Sequence, residues 1–432
     1  MTSHITDETA TRARAARTAV FVVFTLTGVG FAAVASRIPD IRDVFQVSPA
    51  QLGVILLSLS VGSVFGLLSA GSFARSIGQA RAVRLGIVVA SLGLITVALA
   101  VQFVSPRPVV MFGLFLYGMG IGVWDVSMNV EGAAVERVLG KNVMPHFHAA
   151  FSGGTVLSAL AGALLSHFRV PVAAHLLIVG ALMLAAGLYA TRNFLPQKVA
   201  PVPDATTPDA TTPDATTPDA TSPVANSAQR SPQPSAQRSP STEPRTLLIG
   251  VLVFCAAFTE GTANDWLAVA LVDGYGLSNG AGVFALAIFL IFMTAGRILG
   301  TRWLDRYGRV AVLRILFIVA AVGAALVILG GPVLAFVGAG LWGLGASLGF
   351  PVGMSAAADD EDRAPMRISV GATIGYLAFI AGPPLLGFLG EHVGVLRALS
   401  VVGALALLAL AAIPATRRPG RESETASEGR PV

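Results

Sequence analysis

Two carboxylates stand inside apolar runs. Asp125 falls in a run that begins near Val109, and Glu260 lies about fourteen residues into another that begins near Thr246. An ionisable group inside a membrane-crossing segment costs at least a few kcal/mol, so each is by default a functional candidate. Gly118, Gly122, Asp125, Asn129 and Gly132 recur at helical spacing, so one helix face combines small residues with a carboxylate and an amide. Small residues on such a face either let helices approach closely or leave room for a cavity. Asn264 lies one turn beyond Glu260 on the same face, and Asp265 and Trp266 follow it. The chemistry open to these acids is proton carriage. A poorly hydrated cavity disfavours the charged form, so a carboxylate there can hold a proton near neutral pH and release it when the cavity opens to the other side. A structural ion pair or hydrogen-bond anchor is the competing reading for Asp125 and Glu260, and the preferred one for Asp265.

Other polar residues fall at helical spacing too. His148, Ser152, Thr155, Ala159, Gly162 and Ser166 form a stripe that either lines a cavity and binds a polyhydroxylated ligand or packs against a neighbouring helix. His148 itself is expected at the membrane interface. Arg37, at the end of the first apolar run, either snorkels to headgroups or binds an anionic group. Trp342 and Tyr376 have the faces to stack on a sugar or aromatic ligand. Gly371, Gly375, Ala378 and Gly382 read as close packing, and Pro383-Pro384 is expected to bend or break its helix. Cys255 is the lone cysteine, which excludes a disulfide or cysteine-based metal site within the chain and reads as a buried structural thiol.

The elements that must position these residues are long apolar helices. The 432 residues are 54% apolar and only 12% charged, more apolar surface than a soluble fold can bury. A bilayer crossing takes about 20 mostly apolar residues. Runs of that kind begin near Thr18, Gln51, Ala82, Val109, His148 and Pro171, and resume near Thr246, Asn279, Val310, Pro332, Ile368 and Val395. That predicts an all-α membrane protein of twelve transmembrane helices, six on each side of one interruption. The first run has the flanks of a secretory signal, Arg12, Arg14 and Arg17 before it and Ala33-Val34-Ala35 at its end. Eleven further runs make it an uncleaved first helix instead.

Charge placement sets orientation. With the N-terminus inside, the outer segments hold only Arg37, Arg42, Arg107, Arg169 and Arg397; every other Lys and Arg is on the inner side. Both termini and the interruption are therefore expected on the cytoplasmic face of a bacterial inner membrane. The same scatter of arginines, rather than one basic patch, argues against nucleic acid as a partner despite a net charge of +5. From 196 to 245 the chain turns to PDATT repeats and then two AQRSP copies, without apolar payload to order it. This predicts a disordered tether between an N-terminal bundle (1–195) and a C-terminal bundle (246–414), followed by a tail (415–432).

The halves echo each other. GSFARSIGQARAVR, Gly71 to Arg84, follows the second run, and GTRWLDRYGRVAVLR, Gly300 to Arg314, follows the eighth. Such parallel repeats place a substrate site near the midplane between the halves. The second loop, with Asp305, Arg306, Gly308 and Arg309, resembles the G-x-x-x-D-R-x-G-R signature of the major facilitator superfamily, its glycine one residue further from the aspartate than the pattern asks. The first copy keeps Gly78 but has Arg75 and Ser76 where Asp-Arg is expected. SRIPDIRD from Ser36, WDVSMNVEGAAVER from Trp124 and MPHFHAAFS from Met144 resemble the YbjJ-type inner-membrane proteins, distantly similar to the fucose permeases.

The resemblance implies the major facilitator fold, a gating role for the loop residues Asp305, Arg306, Gly308 and Arg309 with Arg297 beside them, and a proton-coupling role for Asp125. Fucose-permease relatives place an acid in this part of helix 4, with a partner acid in helix 1; here Ala35, Ser36 and Arg37 occupy that neighbourhood. The expected activity is proton-coupled secondary transport of a small polar solute by a monomer. Asp125 and Glu260 are the proton candidates, and Asn129, Asn264, Ser152, Thr155, Arg37, Trp342 and Tyr376 the cavity candidates. Proton-antiport export of drugs or natural products is the alternative, and a transporter-like sensor signalling through the tether is another class. No nucleotide-binding loop, zinc-ligand run or nucleophile motif is present, so no enzyme activity, cofactor or metal is expected.

Overall fold

The computed structural model describes residues 2–195, 243–360 and 363–417, with side chains from residue 11 onward and not at position 365. The expected tether lies outside the described residues up to position 242, and the tail from position 418. Every regular element among the described residues is helical. The first half comprises α1 (Thr2–Ala35), a short α2 (Ile38–Phe45), α3 (Pro49–Ile77), α4 (Gln79–Gln102), α5 (Arg107–Leu139), α6 (Met144–His167) and α7 (Val172–Ala190). In the second half α8 (Pro244–Thr262) runs through a π-helical turn (Ala263–Leu267) into α9 (Ala268–Tyr275). There follow α10 (Asn279–Leu329), α11 (Gly331–Ala346), α12 (Gly349–Ala357), α13 (Ala364–Val393), α14 (Val395–Ala398) and α15 (Ser400–Ala412).

Among the described residues, eleven helical stretches are long and apolar enough to cross a membrane. The longest, α10, has 51 residues, or roughly 77 Å of helix, against a hydrocarbon layer of about 30 Å. It is broken at Gly308, whose φ of 75° and ψ of 164° end one crossing and start the next. Its two arms bring the crossings to twelve, six in each half. Gly78, the single residue between α3 and α4, has φ 84° and ψ 156°. The repeated loop is thus repeated in backbone conformation, at the two glycines it shares. Only glycine takes that positive φ without cost.

Lipid dictates helices, because each backbone N–H and C=O must be satisfied within its own segment. Local signals set their ends. Ser48 opens α3 as a capping box: its Oγ accepts from the Gln51 N–H at 3.4 Å, and Gln51 Oε1 accepts from the Ser48 N–H at 3.3 Å. Of the bend or break expected at Pro383-Pro384, the break does not occur. Residues 364 to 393 form one helix with both prolines inside it, a tolerance that membrane helices owe to packed neighbours.

Crossings alternate in direction, so the junctions near residues 37–48, 276–278 and 394 share one face, the far face, and the chain ends share the opposite, terminal face. The halves meet where α3 crosses α13 and α6 crosses α10. At the α3–α13 crossing the backbones nearly touch: a Cβ on Gly53 would lie 2.6 Å from the Pro383 carbonyl oxygen, and one on Gly387 2.6 Å from that of Pro49.

Candidate functional site

The far face is held shut by polar contacts between the halves. Asn279, at the start of α10, donates from Nδ2 to Asp40 Oδ1 at 2.9 Å and to Asp43 Oδ2 at 2.7 Å. Arg42 pairs with Asp273 near the end of α9, and the backbone N–H of Ala50 donates to Glu391 Oε2 at 3.2 Å. Asp40 is the hub. It also accepts from Ser166 Oγ at 3.0 Å and pairs with Arg37 at 2.9 Å.

Nearer the terminal face, residues that oppose each other across the halves keep partial exposure. Asp125 and Asn129 of α5 are half-buried, as are Glu260, Arg297 and Tyr376 of the second half, while His148 is exposed. Tyr376 lies within electrostatic reach of Asp125, and Arg297 within reach of His148. These pairings bring α5 and α6 of the first half up against α13 and α10 of the second, the boundary at which a solute cavity is expected. α5 presents Asp125 because Gly118 and Gly122 seat it directly on α3, where a Cβ would come within 2.2 Å of the Leu59 oxygen and 2.4 Å of the Ser63 oxygen. The small-residue face therefore serves close approach. Asn129 Nδ2 donates to the Asp125 carbonyl at 2.8 Å and reaches its Oδ1 at 3.4 Å. No basic side chain among the described residues pairs with Asp125.

Glu260 is different. Its carboxylate receives both bonds from Arg297 Nη2, at 3.0 and 2.9 Å, while Arg297 Nε donates to the Ser347 carbonyl at 3.3 Å. Arg297 belongs to this pair within the span, a correction to its expected place with the gating loop. One turn on, the π-helical turn interrupts the span. From Cys255 to Leu271 every residue is buried except Glu260, Gly261 and Asp265. Asn264, only 6% exposed, leaves its Oδ1 without a hydrogen-bond partner.

Four cavity candidates are placed elsewhere. Arg37 is 1% exposed; its Nε donates to His175 Nδ1 at 3.0 Å and its Nη1 to Asp40. It neither snorkels nor faces the cavity, because its charge is already matched inside the first half. Ser152 and Thr155 are buried in the seam between α6 and α1, where Gly154 abuts the Thr25 carbonyl and Thr155 Oγ1 donates to the Ser152 carbonyl at 2.7 Å. The polar stripe is a packing seam at these positions. Trp342 is fully buried, edge-on to Phe289 with ring centroids 5.9 Å apart, and has no open face for a ligand.

At the terminal face of the second half, Arg309 Nη1 pairs with Asp359 at 2.7 Å and its Nη2 donates to Ser355 Oγ at 2.9 Å. Arg245 holds the same Asp359 at 2.8 Å. Asp305 and Arg306 are exposed, with the Arg306 guanidinium over the Tyr307 ring. In the first half Gln79 takes the place of Arg309 after the glycine and donates to the Ser127 carbonyl at 2.9 Å. A neutral bond stands where the second half has the Arg309–Asp359 ion pair. The far-face residues Asp40, Asp43, Asp273, Asn279 and Glu391 were not candidates from the sequence. Their only signal is clustering at span ends, which is also where solvated charges sit by default. Glu131 was missed as well: wholly buried in α5, it accepts from the Leu195 N–H at 2.8 Å.

The profile of the Major Facilitator Superfamily matches residues 20–340 and 249–431. The chain is 28% identical over 397 residues to an uncharacterized transporter, y4wD, of Sinorhizobium fredii, covering 91% of this chain and 96% of that one. Among solved structures it is similar to a mutant form of the nucleoside transporter NupG, with a TM-score of 0.70 at 14% identity, covering 94% of this chain and 99% of that one. It is also similar to FucP in its outward conformation, with a TM-score of 0.58 at 14% identity over 93% and 98% of the two chains.

Proposed function

This chain belongs to the Major Facilitator Superfamily as a multi-pass membrane transporter, and on that premise we propose that it moves a small polar solute, a sugar or related metabolite, by proton-coupled alternating access. The arginine distribution supports a bacterial cytoplasmic membrane with both termini inside. The far face is then periplasmic and latched, and the cavity opens toward the cytoplasm.

The observation that carries the proton-coupled reading is Asp125. It is a half-buried carboxylate at mid-span, within electrostatic reach of Tyr376 of the other half, with no basic partner among the described residues. Glu260, the other sequence candidate, is neutralised by Arg297, so the proton is assigned to Asp125 and the Glu260–Arg297 pair to the opposing wall. Taking up a proton would remove a charge that costs several kcal/mol to carry through a closed, dry intermediate. The bare carboxylate resists that passage and the neutral acid permits it. Coupling follows if the solute and the proton must both be bound before the halves rock.

The test is uptake in proteoliposomes across a panel of sugars and related metabolites, with and without an imposed proton gradient. Asp125→Asn is expected to abolish gradient-driven accumulation while retaining solute counterflow. Undiminished gradient-driven uptake by an Asp125→Asn, Glu260→Gln double mutant would sink the reading.

A further inference from the structure

Asp125 and Asp265 are half-buried carboxylates on opposite halves, and neither has a basic partner among the described residues. The third acid, Glu260, is matched by Arg297. Asp265 lies within the π-helical turn, five residues or roughly 7 Å of helix nearer the latched face than Glu260. An i→i+5 turn swings residue 265 back toward the side of the helix that bears Glu260, which accounts for its exposure where its neighbours are buried. On the same turn, the orphaned Oδ1 of Asn264 is a second acceptor.

From this arrangement we propose that Asp265 and Asn264 form the cation-binding end of the solute site, and that within the polar class proposed above the solute is one that bears a protonated amine, an amino sugar or amino alcohol rather than a neutral sugar. Two acceptors without donors, one of them charged, want a donor-rich cation. A protonated amine supplies N–H donors to both and offsets the carboxylate in a charge-assisted bond. A neutral polyol would leave the charge of Asp265 uncompensated, and an anionic solute would add to it. The cavity then holds two uncompensated acids for two cations, the proton at Asp125 and the ammonium at Asp265. This assignment rests on the reading of Asp125 as the proton carrier, but its own test does not require coupling.

Matched probes separate amine recognition from hydroxyl recognition: glucosamine against glucose, and ethanolamine against ethylene glycol. Thermal stabilisation of the purified full-length chain in detergent is measured with each. At least one amine is expected to raise the Tm where its neutral partner does not. Asp265→Asn should weaken that amine by about tenfold or more, the scale of a lost charge-assisted bond, with Asp265→Glu retaining part of the effect. Stabilisation by the neutral partners with the amines silent, no effect of any amine at millimolar concentration, or undiminished amine binding by folded, monodisperse Asp265→Asn would each overturn the proposal. Amine binding by a natural chain whose accumulation ignores the proton gradient would instead remove the proton reading and leave the cation site standing.

Discussion

Asn279 of the second half bridges two carboxylates of the first, reaching Asp43 at 2.7 Å and Asp40 at 2.9 Å. One amide thus supplies both protons of its NH₂ group across the boundary that alternating access has to open. Asn279→Ala leaves both acids short of a donor, at a cost of about 1–3 kcal/mol to the latched form. Distances between spin labels on the far-face ends of α3 and α13 should broaden toward longer values. An unchanged distribution would show that the backbone crossing at Gly53 and Gly387 holds this face without the amide.

The Glu260–Arg297 pair is expected to behave as a unit. Its side chains are 21% and 29% exposed, so solvent screens part of the interaction. Glu260→Gln alone strands a half-buried guanidinium and should destabilise by about 1–3 kcal/mol. Replacing both, as Glu260→Gln with Arg297→Met, should cost less than the two single changes added together. Strict additivity in thermal unfolding would mean the pair is uncoupled.

Trp342 offers a contrast between ligand and core. Its ring is sealed against Phe289, so Trp342→Ala should cost about 3–5 kcal/mol of stability. The milder Trp342→Phe should unfold at a lower temperature yet leave the apparent affinity for solute unchanged. A selective loss of affinity without loss of stability would return Trp342 to the cavity wall.

Acid should loosen the entry to α8. Burial pushes the Glu243 carboxyl up, but hydrogen bonds from Arg367 and Thr246 and the charges of Arg367 and Arg363 outweigh it and hold the group below the ordinary glutamate value. A depressed value means the stabilisation is complete above the ordinary glutamate range and is lost as the pH falls through the depressed one. The Tm advantage of the natural chain over Glu243→Gln should therefore be constant from neutral pH down to mildly acidic conditions, then shrink. A gap that grows on acidification would reverse the sign and refute the linkage.

Replacing residues 196–242 with a Gly/Ser stretch of equal length separates a tether from a signalling segment. Unchanged transport is expected. Loss of function with intact folding would favour the sensor class instead.

What the sequence disclosed follows from what lipid demands. The twelve crossings were legible because about 20 apolar residues are needed for each, and the loop repeat was legible because its glycines recur. Asp125 and Glu260 stood out because a carboxylate in an apolar run is costly, but position alone did not say which of them is matched by a cation. What stayed hidden depends on partners far away in the chain. Arg37 meets His175, 138 residues on, and Arg297 meets Glu260, 37 residues back. Periodicity put Ser152 and Thr155 on one face without saying whether that face looks at a cavity or at α1. The π-helical turn has no sequence signature, so the exposure of Asp265 could not be foreseen.

Gly78 and Gly308 each turn one crossing into the next with a single residue outside helical geometry. A corner of one residue has no slack. Pushing on α3 must drag α4, and pushing on the first arm of α10 must drag the second, so each pair transmits force like a bent lever rather than a cord. Any stroke of the molecule is then delivered whole to the seams between the halves, and lengthening either corner by a few residues would let one arm move while the other stood still.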